Sequence, residues 1–233
     1  MSIADNIAVL RDRIATTARP AGREPEEITL MAVSKIFPAS AILEAYAAGV
    51  RVFGENRVQE FAGKHAVVGA LADAAFHLIG HLQSNKAGRA AEMFSAVDSV
   101  DSLKLAEKLN DAAARLGRRL EVLLEINVGG EAAKSGLTPD APEIDAILEA
   151  ATRLQHLTIR GLMAVPPFTA DPEDARPYFR SLREIRDRIA AQKPPGVRMD
   201  VLSMGMSHDF EVAIQEGSTC VRVGTAIFGP RKP

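Results

Sequence analysis

Leu30-Met31-Ala32-Val33-Ser34-Lys35 is an apolar run that ends in a lone amine, and helical periodicity starts only after Pro38. Such a run, bounded by a helix start, reads as a strand buried on both faces. Lys35 then stands at the mouth of that strand. An ordinary surface lysine has a pKa of about 10.4, but an amine held over a dry pocket loses its charge more readily and can attack an aldehyde.

The same beat repeats along the chain. Short apolar runs fall at residues 29–33, 52–54, 76–80, 94–97, 122–128, 159–165, 199–202 and 220–223. Helical stretches between them begin near Ala39, Asn56, Ser84, Ser102, Pro139, Pro172 and Ser207, several with the Ser, Asn or Pro common at helix starts. Alternation of this kind points to parallel strands with helical crossovers. An open doubly wound sheet would also alternate, but no G-x-G-x-x-G follows the first strand, and eight strands in roughly 250 residues is the usual size of a closed (β/α)8 barrel. Ahead of the beat, residues 2–18 space Ile3, Ile7, Leu10 and Ile14 as one amphipathic helix, closed by Pro20 and Gly22. The expectation is an α/β fold: a single (β/α)8 TIM-type barrel over residues 1–233 with an additional N-terminal helix. The Pro- and Gly-containing stretch 192–196 is short enough to be a loop.

Composition narrows the partners. The 233 residues are 47% hydrophobic and 25% charged, enough apolar content for a full core. Twenty-eight basic against 30 acidic residues leave a formal charge of -2, so no broad basic field points to nucleic acid or an anionic membrane, and a small molecule is the expected partner. The one cysteine, Cys220, excludes an internal disulfide framework and a thiolate metal cluster. No metal site is expected. The N-terminus lacks the blocks of a signal peptide and no run approaches the roughly 20 apolar residues of a membrane span. These features read as a cytoplasmic protein.

In a barrel the active face is built from the loops after the strands, with phosphate often held after strands seven and eight. Strand seven runs into Ser203-Met204-Gly205-Met206-Ser207, and strand eight ends in Arg222-Val223-Gly224-Thr225. Glycines let the backbone approach an anion, hydroxyls add donors, and a helix starting at Ser207 would aim its N–H groups at the same point. Ser207 can equally serve as a helix N-cap, with Asp209 and Glu211 complementing the dipole, and these acids count against an anion site. Gly205 and Gly224 can simply serve turns. Arg222 lies within strand eight, where a buried guanidinium needs a partner: an ion pair, or a ring nitrogen or anion of a ligand. Strand eight pairs with strand one in a closed barrel, so Lys35 and this cup are neighbours. A phosphorylated aldehyde bridges them, whether pyridoxal 5'-phosphate or an open-chain sugar phosphate.

Glu55 and Asn56 follow strand two and can face such a ligand, although Asn56 can also cap the next helix. His81, after strand three, has no second histidine or acid at ligand spacing and reads as structural or solvated. Lys86 and Lys134 are secondary amines near the mouth, where most lysines are solvating charges. Cys220 reads as a small buried hydrophobe and Met163 as core.

Several blocks together resemble a known family. Ala32-Val33-Ser34-Lys35, Phe53-Gly54-Glu55-Asn56-Arg57-Val58-Gln59-Glu60, Ile79-Gly80-His81-Leu82-Gln83-Ser84-Asn85-Lys86, Lys134-Ser135-Gly136-Leu137, Gly161-Leu162-Met163-Ala164, Leu202-Ser203-Met204-Gly205-Met206-Ser207 and Arg222-Val223-Gly224-Thr225-Ala226-Ile227-Phe228-Gly229 are similar, in order, to the pyridoxal-phosphate homeostasis proteins. The resemblance implies an alanine-racemase-type barrel carrying pyridoxal 5'-phosphate as a Schiff base on Lys35. It implies phosphate contacts from Ser203, Ser207, Gly224 and Thr225, with Arg222 near the cofactor ring. Asn56 completes the expected cofactor-binding set. His208 departs from the acidic or small residue frequent in relatives at that place.

Racemases and decarboxylases similar to this barrel carry an additional β-rich domain, and only a few residues follow Gly229. Cofactor chemistry also needs a second positioned acid or base, and no residue stands out as one. The expectation is therefore a monomeric, non-catalytic protein of intracellular cofactor homeostasis, storing pyridoxal 5'-phosphate or delivering it to apo-enzymes. The alternatives are a small pyridoxal-phosphate-dependent amino-acid racemase and a class I aldolase acting on a sugar phosphate.

Overall fold

The structure is a computed structural model that describes residues 1–131 and 135–230. Lys134, one of the two secondary amines considered above, lies outside the described residues. The first strand, β1 (Thr29–Val33), becomes steadily more buried toward its C-terminal end, where Met31, Ala32 and Val33 are all inside. Residues with apolar side chains on both faces form a stable strand only when both faces are covered. The chain meets that demand with β2 (Val52–Glu55), β3 (Ala75–Leu78), β4 (Ala96–Val100), β5 (Leu120–Glu125), β6 (Leu157–Met163), β7 (Val197–Met206) and β8 (Cys220–Val223), all parallel and closed in sequence order into an eight-stranded barrel. Closure joins β1 to β8, with Thr29 opposite Cys220 and Ala32 opposite Val223. The expected barrel is therefore the observed one.

Nine α-helices are described: α1 (Ile3–Ala18), α2 (Ala39–Ala47), α3 (Val58–Val68), α4 (Ala87–Met93), α5 (Leu103–Arg115), α6 (Pro142–Ala150), α7 (Arg176–Gln192), α8 (Phe210–Gln215) and α9 (Thr225–Phe228). Helix α1 is the extra N-terminal helix. Ser2 and Asp5 close a reciprocal capping box at its start, and Ile7, Leu10 and Ile14 are buried along one face. Burial of each such side chain contributes roughly 1.5–3 kcal/mol. Its Asn6 amide donates to the Ile227 carbonyl at 2.8 Å and Arg13 pairs with Glu211 at 3.0 Å, so α1 is tied to α8 and α9 beside the barrel closure.

Most element boundaries shift by two to four residues from expectation, β7 running on to Met206 rather than ending at Leu202, and two of the shifts have a clear local reason. Strand β4 begins at Ala96 rather than Phe94, because Phe94 closes α4 and its ring packs on Phe61 at 4.8 Å. The strand then runs through Asp98 and Ser99, which are polar yet buried: Asp98 meets His77 at 3.1 Å and the Ser99 hydroxyl donates to the Gly80 carbonyl at 2.8 Å. Helix α8 begins at Phe210, not Ser207. The Met206 N–H donates to the Asp209 carboxylate at 2.6 Å, which spends residues 206–209 on a turn. Among the described residues, no helix is long and apolar enough to cross a membrane.

Candidate functional site

At the C-terminal ends of the strands a cavity of about 510 Å³ is lined by Lys35, Asn56, Ser207, Arg222, Gly224 and Thr225. Six of the seven residues singled out in the sequence thus share one wall. They come from the ends of β1, β2, β7 and β8, which are contiguous because β1 pairs with β2 on one side and β8 on the other. Val33, Ile79, Val165 and Met206 supply apolar surface, and the Phe168 and His208 rings meet 5.3 Å apart in the same lining. Other depressions in the molecule are as large, but this one has the size and mixture of a small-molecule site, mostly apolar with a few convergent polar groups.

Arg222 is almost fully buried. One terminal nitrogen, Nη1, donates to the Ser203 carbonyl at 2.6 Å and the Ser203 hydroxyl at 2.7 Å, and Nη2 donates to the Ala164 carbonyl at 2.7 Å. The ion pair considered from sequence is not formed: among the described residues no carboxylate lies within salt-bridge distance of Arg222. Burial pulls its pKa down, opposed by nearby acidic groups, among them Asp98, Asp209 and Glu125. A guanidinium held by neutral acceptors keeps its charge available to the cavity. Ser203, the seventh expected residue, is fully buried and outside the lining; it reaches the cavity through Arg222.

With Arg222, the residues Ser207, Gly224 and Thr225 supply the polar part of the lining. Ser207 does not cap α8, as a helix start at that residue would require. Its hydroxyl instead accepts from the Ala226 N–H at 3.4 Å, bridging the β7 turn to α9. The two acids that counted against an anion site are drawn elsewhere: Asp209 is buried on the Met206 N–H, and Glu211 pairs with Arg13. Gly205 is a packing residue rather than part of the cup. It adopts φ +92°, and a Cβ there would fall 2.6 Å from the Ala213 Cβ on α8.

Lys35 follows Ser34, whose hydroxyl donates to Glu55 at 2.7 Å. Glu55 is fully buried and turned away from the cavity, so of the pair after β2 only Asn56 lines it. Asn56 is not a helix cap; Arg57 occupies that place on α3. The chain at Asn56 is fixed by Gly80, where a Cβ would stand 2.3 Å from the Asn56 carbonyl oxygen. Burial raises the Glu55 carboxyl, with Ser34 and Lys64 acting against it. Immediately beyond Lys35, Ile36 has φ +64°, a left-handed conformation that costs a β-branched residue about 1–3 kcal/mol.

A second cavity, about 620 Å³, adjoins the first through the shared Ile79 and Val165. Glu125 and Asp101 line it, at or just after the ends of β5 and β4, and so does His81. His81 Nδ1 lies 3.0 Å from Asp101, so the histidine has an acidic partner that spacing alone did not reveal. Burial raises the Glu125 carboxyl despite its bond from Ser135. The rule that found Lys35, chemistry at strand ends, finds Glu125 as well. Lys86 lines neither cavity. Cys220 is buried, its thiol pushed up to about 12 by desolvation, and Met163 is fully buried. Among the described residues no group of three His, Cys, Asp or Glu is placed to hold a metal ion.

The alanine racemase N-terminal domain family matches residues 2–232. Pyridoxal phosphate homeostasis proteins of Aquifex aeolicus and Pseudomonas aeruginosa are 41% and 46% identical, over 100% and 99% of this chain and 100% and 96% of theirs. PipY of Synechococcus elongatus, solved with PLP bound, is 41% identical and superimposes with a TM-score of 0.84 over 98% of this chain and 100% of its own. Alanine racemase from Streptomyces coelicolor shares the fold alone, at 22% identity and a TM-score of 0.73, with this chain matching 59% of its length. The chain belongs to the pyridoxal phosphate homeostasis protein family, within the alanine racemase N-terminal domain family.

Proposed function

We propose that this chain binds pyridoxal 5'-phosphate in the cavity lined by Lys35 and Arg222, holds it as a Schiff base on Lys35, and serves intracellular cofactor homeostasis by storing it or passing it to apo-enzymes. The observation that carries the reading is the meeting of an amine from β1 and a polar, cationic end from β7 and β8 across the barrel closure, in one cavity of suitable size. The donor set fits the ligand. Ser207, Thr225 and the backbone at Gly224 suit a phosphate, and Arg222 can donate to a ring nitrogen or an anionic oxygen.

When bound, the cofactor would supply an aldehyde with which the Lys35 amine could condense, one C=N bond forming as one water leaves; hydrolysis, or exchange onto another amine with release of the Lys35 amine, would free it. The chain's own part is to hold the amine at the β1 mouth, fix the anionic end, and cover the site with Val33, Ile79 and Met206. The whole chain acts as one binding unit, a cytoplasmic monomer with one cofactor. The homeostasis name carried by relatives of equal length, and the bound PLP in PipY, support holding over turnover.

The test is incubation of the loaded protein with a panel of L-amino acids, following D-isomers and α-proton exchange. Rates no greater than free cofactor are expected, together with transfer of cofactor to an added apo-enzyme. Turnover well above free cofactor would make the chain a racemase, with Glu125 or the His81–Asp101 pair the first groups to examine.

A further inference from the structure

We infer that Lys64, with Glu55 and Glu60, is a positioning device for Lys35, fastened to the backbone on both sides of it. None of the three lines the cavity, so they act through Lys35. The inference rests on the proposal that Lys35 is the Schiff-base lysine.

Helix α3 carries Glu60 and Lys64 one turn apart, facing the end of β1. The Lys64 ammonium donates to the Ser34 carbonyl at 3.0 Å, to both Glu55 oxygens at 3.0 and 3.1 Å, and to Glu60 at 3.0 Å. Glu55 in turn accepts from the Ser34 hydroxyl, and Glu60 accepts from the Ile36 N–H. The Ser34 N–H is already committed to the Gly54 carbonyl at 3.0 Å. Every polar group of Ser34 and the N–H of Ile36 are therefore held, and the residue between them is Lys35.

A lysine on a helix ordinarily extends into water. The Lys64 side chain is only 10% exposed and Glu55 not at all. Desolvation offsets most of what a buried ion pair gains, so a network of this kind is weak as a source of stability. What it supplies here is direction. Ile36 adopts a left-handed conformation that a β-branched residue avoids, and the Glu60 carboxylate holds the N–H of that residue. The turn sets the angle at which Lys35 leaves the barrel, and small displacements of a reacting group cost large factors in rate.

The test compares Glu60→Ala, Glu60→Gln and Lys64→Met with the unmodified protein. Three quantities are read: the thermal unfolding midpoint, the rate at which imine absorbance grows on adding pyridoxal 5'-phosphate, and, without cofactor, the pH profile of Lys35 labelling by trace acetic anhydride relative to the other lysines. Glu60→Ala and Lys64→Met are expected to fold, to form the imine roughly tenfold or more slowly, and to shift the Lys35 labelling profile. Glu60→Gln keeps an oxygen for the Ile36 N–H and is expected to recover most of the rate. Folded Glu60→Ala with unchanged imine rate and labelling overturns the inference. If Lys64→Met does not fold, the Glu60 pair decides. If the unmodified protein forms no imine, the Schiff-base proposal fails by itself; a labelling difference between Glu60→Ala and Glu60→Gln then still upholds the positioning role, and its absence overturns it.

Discussion

The Ser203 hydroxyl accepts a hydrogen bond from Arg222 Nη1 at 2.7 Å, one of three bonds that pin the buried guanidinium beneath the cavity. Two of the three go to backbone carbonyls and survive any side-chain change at position 203. Ser203→Ala therefore removes a single bond to a charged group, worth about 1.5–3 kcal/mol, and is expected to weaken cofactor binding about tenfold. Arg222→Met strips the cavity of its buried cation and removes a donor from all three acceptors, of which the Ser203 carbonyl keeps its bond from the Ala164 N–H at 3.2 Å, so both its affinity and its thermal midpoint should fall further. Spectrophotometric titration with pyridoxal 5'-phosphate, alongside thermal unfolding, measures both.

Ser207 and Thr225 face the cavity from opposite sides of the β7–β8 junction. If they hold phosphate, Ser207→Ala and Thr225→Val each lower affinity for pyridoxal 5'-phosphate by roughly tenfold. Affinity for pyridoxal, which lacks the phosphate, should stay unchanged. Equal losses for both ligands would move the phosphate elsewhere.

His77 and Asp98 form a pair 3.1 Å apart inside the barrel. Burial alone would lower the histidine pKa, but the Asp98 charge and hydrogen bond outweigh it and raise the value above the ordinary 6.5. Because the folded value is the higher one, the pair's contribution is fully present below about pH 6.5 and is lost as pH rises through the raised value. The unfolding midpoint of the unmodified protein should therefore fall relative to that of His77→Gln as pH is raised from 6 to 9. Parallel profiles would remove His77 from the pH response.

Much of this was legible in the sequence. The limits of β1 and β8 and the amphipathic pattern of α1 needed only apolar periodicity, because those segments bury hydrophobic side chains in regular array. Lys35, Asn56, Ser207, Arg222, Gly224 and Thr225 could be placed on one wall because parallel strands in a closed barrel put all their C-terminal ends on one face. What was hidden is polar and buried. Asp98 looks like a reason to end a strand until His77 is seen against it, and Asp209 looks like a helix-dipole acid until it accepts from Met206. Lys64 does not stand out, since nothing local tells that Glu55, nine residues earlier, folds back beneath it.

The central claim, that Lys35 holds pyridoxal 5'-phosphate, is tested most directly by the visible spectrum of the protein with cofactor, before and after borohydride, followed by identification of the labelled peptide. The expected result is an imine band that disappears on reduction with the label on Lys35, and a folded Lys35→Ala variant with no band. A full band in Lys35→Ala, or a label fixed on another lysine, would contradict it.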